Sequence, residues 1–149
     1  MIGCGFLLVS VANSVCFSPI ILEKYSCVSA SLQPSRTVNL AYAGFARKAA
    51  LSNEELQIVC PKRVNDLVAE GRALHHCVGS YVDRVAEGRC LIVFVRRVEE
   101  PEKPYVTVEV RNGKIEQIHG DHNSDPTEEV QKFVDLWSRK VLPMALQAA

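Results

Sequence analysis

The sequence predicts an α+β domain in which helices flank a three-stranded, mainly antiparallel sheet, in the order α-α-β-β-β-α. Three observations predict it. Leu74, Cys77, Val78, Tyr81, Val82 and Val85 recur at the spacing of one helical face, and from Cys90 the hydrophobic period drops to two. Between two strand-like runs, Arg111-Asn112-Gly113-Lys114 supplies the Asn-Gly pair that accepts the positive φ angles of a type I′ hairpin turn. Downstream, Val130, Phe133, Val134, Trp137 and Val141 return to helical spacing, so a C-terminal helix can pack on the sheet.

Taken in order, residues 1–35 carry no sustained period and are expected to be a poorly structured or non-native leader, ahead of a domain over 36–149. The run Ile2 to Ala12 is apolar, but no Lys or Arg precedes it and it is too short for a span, which needs about 20 residues. Signal peptide, disordered leader and misplaced start all stay open. The alanine-rich stretch Asn39 to Ala50 permits a helix. Ser52-Asn53-Glu54-Glu55 has the spacing of a capping box and predicts a helix through Leu56 and Val59. Pro61 ends it. Val64, Leu67 and Val68 then predict a helix over Lys62 to Glu70, closed by Gly71 in the left-handed conformation. The stripe from Leu74 to Val85 forms the next helix, ended by Gly88. Cys90 to Val95 is continuously apolar, as in a central strand buried on both faces. Tyr105 to Val110 alternates, Ile115 to His119 returns from the hairpin, and Asp125 with Pro126 can cap the last helix.

Composition narrows the functional classes. The 149 residues are 48% hydrophobic and 23% charged, the profile of a globular chain. The 17 basic and 17 acidic side chains cancel, so there is no overall basic excess of the kind that drives phosphate binding. Charge is lopsided, with 7 charged residues in 1–59 and 27 in 60–149. The cysteines stand at 4, 16, 27, 60, 77 and 90, and none are spaced C-x-x-C. That excludes a zinc ribbon or thioredoxin-like motif and predicts reduced thiols in a cytoplasmic protein.

The string Glu70-Gly71-Arg72-Ala73-Leu74-His75-His76-Cys77-Val78-Gly79-Ser80-Tyr81 resembles the PcfJ-like family, carried by conjugative plasmids, integrative elements and phages. The resemblance continues through Gly88, Leu91-Ile92, Arg96, Pro104, Thr107-Val108-Glu109, Gln117, Gly120 and Asn123 to Phe133 and Trp137, over about residues 56–140. Family members are usually longer, with this domain toward the C-terminal side. The resemblance therefore implies a fragment of a mobile-element protein. Its implied role is accessory, in plasmid or phage transfer or replication, through nucleic-acid or protein contacts. It implies no reaction.

The chemistry-bearing residues leave alternatives. His76, Cys77, Tyr81, Glu109 and Gln117 are the candidate catalytic residues of a polar pocket, and Cys77, His119 and Asn123 follow the chain order of papain-like hydrolases. Against this, Cys77 also falls on an apolar stripe and can be a core thiol. A strict two-residue hairpin sets Glu109 against Glu116, which like charges disfavour; a three-residue loop pairs Glu109 with Ile115. A tetrad of His76, Cys77, His119 and His122 is conceivable for a metal, but no paired-ligand spacing supports it, and neither metal nor cofactor is assigned. Lys62, Arg63, Arg96 and Arg97 are the nucleic-acid candidates, although Arg96, at the end of a buried strand, can pair with Glu109 rather than with a phosphate. The third alternative is an inactive truncated remnant.

Overall fold

A computed structural model describes residues 40–147, which lie within one compact unit, Gln33–Ala149. The leader expected over residues 1–35 and the boundary after it lie outside the described residues, as do Cys4, Cys16 and Cys27.

The fold is α+β, built on a four-stranded antiparallel sheet in the order β1-β2-β3-β4. The strands are β1 (Leu56–Val59), β2 (Leu91–Arg97), β3 (Val106–Arg111) and β4 (Lys114–His119). The strand β1 replaces the helix expected after Ser52. Asn53 takes the hydrogen bonds that a helix cap would need: its Oδ1 accepts from the Glu55 and Leu56 N–H groups at 2.9 and 2.6 Å, and the chain leaves that turn extended. Leu56 and Ile58 are then buried and Gln57 is not, the period-two pattern of a strand pairing with β2.

One face of the sheet is covered by α1 (Leu40–Lys48), α4 (Glu128–Lys140) and α5 (Leu142–Leu146). Phe45, Val93, Val95, Val108, Phe133 and Trp137 meet there. The helix α4 begins later than Asp125 suggested. Thr127 is the N-cap, its side chain accepting from Val130 N–H, and the stripe Val130, Phe133, Val134 and Trp137 is buried as the period requires. The other face carries α2 (Val64–Ala73), a 3-10 helix over Cys77–Tyr81 and α3 (Val82–Ala86), packed by Leu67, Val78 and Val85 onto Ile92 and Phe94. The strand β2 thus serves both cores, Ile92 and Phe94 to one side and Val93 and Val95 to the other.

Two expectations on this second face change. Gly71 is inside α2 rather than at its end, and the left-handed residue is His75, with φ +51°. A Cβ on Gly71 would lie 2.8 Å from Gly79 N and 2.9 Å from His76 O, so the glycine is there for backbone contact, not for helix termination. The expected single helix from Leu74 to Val85 breaks at His75 into the 3-10 turn and α3, because Gly71 and Gly79 draw the chain back across α2. Gly88, at φ +71°, does terminate α3.

The hairpin turn is the two-residue Asn112-Gly113 turn, both residues at positive φ. Next to the turn the strict two-residue register holds, Arg111 with Lys114, but beyond it neither partner drawn from the sequence for Glu109 is the observed one. Val110 pairs with Ile115, but a bulge follows and Glu109 pairs with Gln117, Thr107 with His119. Glu116 is the extra residue, exposed, and it accepts from Arg111 at 3.3 Å. Ile115 and Ile118 are three apart, so only a bulge can turn both toward the same core.

Candidate functional site

A small cleft, open to solvent, lies between the 3-10 helix and the polar face of β3 and β4. His76, Cys77 and Tyr81 line it from the helix side; Glu109 and Gln117 line it from the sheet. All five pocket candidates are therefore brought to one place. Thr107, His119 and Asn123 join them. The bulge is what delivers Gln117 and His119 to this face.

His76 anchors the wall. Its Nδ1 accepts from the Val78 N–H at 3.4 Å, capping the 3-10 helix, so Nδ1 carries the lone pair and Nε2 the proton. Nε2 then donates to Thr107 Oγ1 at 3.1 Å, and Thr107 donates to Glu70 Oε1 at 3.4 Å. Glu70 is held by Arg96 through two bonds, at 2.8 and 2.5 Å. The neutral imidazole is favoured further because burial lowers the His76 pKa. Burial also pushes the Glu70 carboxyl up, against the pull of Arg96. Glu70 is the residue sequence reasoning missed here. Its place at the head of the Glu70-Gly71 string was the available signal.

Arg96 thus pairs with Glu70, not Glu109, and is 6% exposed, with no free face for a phosphate. Arg97 points to the other side of the sheet, as successive strand residues must, and binds Glu129 and the Tyr105 hydroxyl at 3.0 and 3.1 Å. Lys62 and Arg63 are exposed at the start of α2. The four basic candidates are not brought together.

Cys77 is exposed, which removes it from the core the helical stripe had suggested. The stripe misled because the helix carrying it is broken at His75. Of the other described cysteines, Cys90 is buried, and burial raises the Cys60 thiol to about 12. Burial, with the Cys77 thiol and the Glu109 carboxylate beside it, raises the Tyr81 phenol, so it stands in the cleft as a neutral donor.

Glu109 is the most telling residue. It is 2% exposed; Arg111 donates to its Oε1 at 2.6 Å, and its Oε2 has no partner. His119 Nδ1 is likewise buried and unpartnered. Both of the unmatched buried side-chain atoms found among the described residues fall in this one cleft.

The metal tetrad of His76, Cys77, His119 and His122 does not form: His122 lies instead against His75 and Asp121.

The sequence matches the PcfJ-like protein family over residues 31–134, more than half of the chain. The chain belongs to the PcfJ-like family. It is 42% identical over 85 residues to an uncharacterized protein of Listeria innocua, Lin1253/Lin1744, an alignment that covers 56% of this chain and 19% of the relative. The chain therefore spans about a fifth of that relative's length. No solved structure matches. Among the described residues no helix is long and apolar enough to cross a membrane.

The family string acquires a structural meaning residue by residue. Glu70 holds Arg96, Gly71 admits Gly79, Leu74 and Val78 are core, His76 caps and braces, and Cys77 and Tyr81 face the cleft.

Proposed function

We propose that the cleft is the working centre of this PcfJ-like domain and that it recognises a small polar group bearing hydrogen-bond donors, such as an amine or amide. The single observation that carries this is the unmatched Oε2 of Glu109 in a side chain 2% exposed. A bound donor would relieve a desolvation cost of about 1–3 kcal/mol. A cleft this small suits a fragment of a partner, a base edge or a side chain, rather than a large free ligand. The domain then serves as an accessory recognition module of a longer cytoplasmic mobile-element protein, in plasmid or phage transfer or replication. The PcfJ-like family and the unbridged thiols of Cys60, Cys77 and Cys90 support that setting.

A second reading, a cysteine-dependent hydrolase, is favoured by Cys77, His119 and Asn123 lining the same cleft. Here His119 Nδ1 would take the thiol proton, since both ring nitrogens of His76 are committed.

Thermal shift with cytidine, adenosine, guanosine, acetamide and methylamine separates the two. For the recognition module, at least one raises the melting temperature of the wild type and of Cys77→Ser but not of Glu109→Gln. No shift by any of them in the wild type defeats it. The hydrolase reading requires Cys77 to be alkylated faster than a free cysteine in a peptide, an excess that His119→Gln removes.

A further inference from the structure

We propose that His75, Asp121 and His122 form a binding site for a first-row divalent transition-metal ion, zinc above all, at the edge of the cleft. The Nδ1 atoms of both histidines are aimed at a single carboxylate oxygen, Asp121 Oδ1, at 3.0 and 2.9 Å. All three candidate ligand atoms lie within 4.8 Å of one another. Ligands held about 2.0–2.2 Å from one zinc ion in a tetrahedron sit about 3.3–3.6 Å apart, so the two N–O separations need to open by only a few tenths of an ångström. The imidazole rings stack with centroids 4.3 Å apart and 16° between planes, so their in-plane Nδ1 lone pairs run nearly parallel, and the two exposed rings must turn toward each other for both to meet one ion. Two imidazoles and one carboxylate select zinc, cobalt, nickel or iron(II) over magnesium or calcium, which prefer oxygen alone. The three side chains are exposed, and the remaining coordination positions face solvent.

The two loops that carry the ligands are already tied. His122 N–H donates to Leu74 O at 2.8 Å, and His75, His122 and Asn123 all have φ between +51° and +58°. The residues that follow in the chain are His76 and Cys77 on one side and Asn123 on the other, and these line the cleft. An ion at this site therefore clamps the two walls together. The inference does not depend on what the cleft binds.

Cobalt(II) titration of the whole 149-residue protein tests it. One equivalent should bind with visible d–d absorption and without the near-ultraviolet band of thiolate ligation, and zinc should displace it. His75→Ala and His122→Ala should each weaken binding by at least about tenfold. Cys77→Ser should leave it unchanged. Zinc should raise the melting temperature of the wild type and not of His75→Ala. If His75→Ala loses its native circular dichroism, Asp121→Asn, which keeps the shape and removes the charge, takes its place. Unchanged affinity in the histidine variants, or a thiolate band abolished by Cys77→Ser, overturns the proposal.

Discussion

Arg96 donates to both carboxylate oxygens of Glu70, at 2.8 and 2.5 Å, and both side chains are buried between α2 and the sheet. The pair locks the helix that leads into His76 onto β2. Removing one partner leaves a buried charge unmatched, so Arg96→Met should cost about 3–5 kcal/mol in denaturant unfolding. Replacing both, as Glu70→Leu with Arg96→Met, should recover most of that loss. A double variant as unstable as the sum of the singles would show that the pair is not the unit.

Gly71 gives a prediction opposite to helix propensity. Alanine is about 1 kcal/mol better than glycine within a helix. Here its Cβ would meet backbone at 2.8 and 2.9 Å, and backbone cannot step aside. Gly71→Ala should therefore destabilise the domain by about 1–3 kcal/mol. Gly79→Ala, whose Cβ meets nothing closer than 3.5 Å, should be milder. The reverse order would refute the close approach.

His76 sets an acid limit. Its folded pKa lies below the unfolded value of about 6.5, so the unfolded chain takes up the proton first. Its contribution to stability is complete above that value and is lost as pH falls through it toward the lower folded pKa. Protonation would also end the acceptance from Val78 N–H. His76→Asn should flatten the fall in unfolding free energy between about pH 7.5 and 5.5 relative to wild type. An identical slope in both proteins would assign the effect to other histidines.

Among Cys60, Cys77 and Cys90, iodoacetamide should modify Cys77 first in the folded protein, because it is exposed while burial pushes the other two thiols up. Peptide mass mapping at short reaction times reads the order. Equal or faster labelling of Cys60 would mean that β1 and its flanking turn open readily.

Trp137 is fully buried, donates from Nε1 to Ala49 O at 2.7 Å, and meets Phe45 edge-on at 6.5 Å. Trp137→Ala should cost about 3–5 kcal/mol. Native fluorescence should be that of an apolar site, and a water-like emission maximum would contradict the docking of α4 on the sheet.

Features that depend on neighbours along the chain were legible before the fold was known. The stripe of α4, the double-sided strand β2, the alternation of β3 and the Asn112-Gly113 turn all follow from local period or local φ preference. The polar character of His76, Cys77, Glu109 and Gln117 was equally plain, and so was kinship through the Glu70–Tyr81 string. Tertiary structure decided the rest, where long-range contacts outweigh local preference. Ser52 has a capping spacing, yet β1 forms because Leu56 and Ile58 are buried against the core that α1 and α4 build. The stripe through Cys77 reads as one helix, yet the backbone approach of Gly71 and Gly79 breaks it and exposes the thiol. The hairpin register depends on turning Ile115 and Ile118 to one core, which puts the bulge at Glu116 and brings Glu109 opposite Gln117. His75 and Asp121 are 46 residues apart, and their contact exists only because α2 and the β4–α4 loop end at the same corner of the sheet. Local period carries no information about such meetings, because they are set by the packing of whole elements.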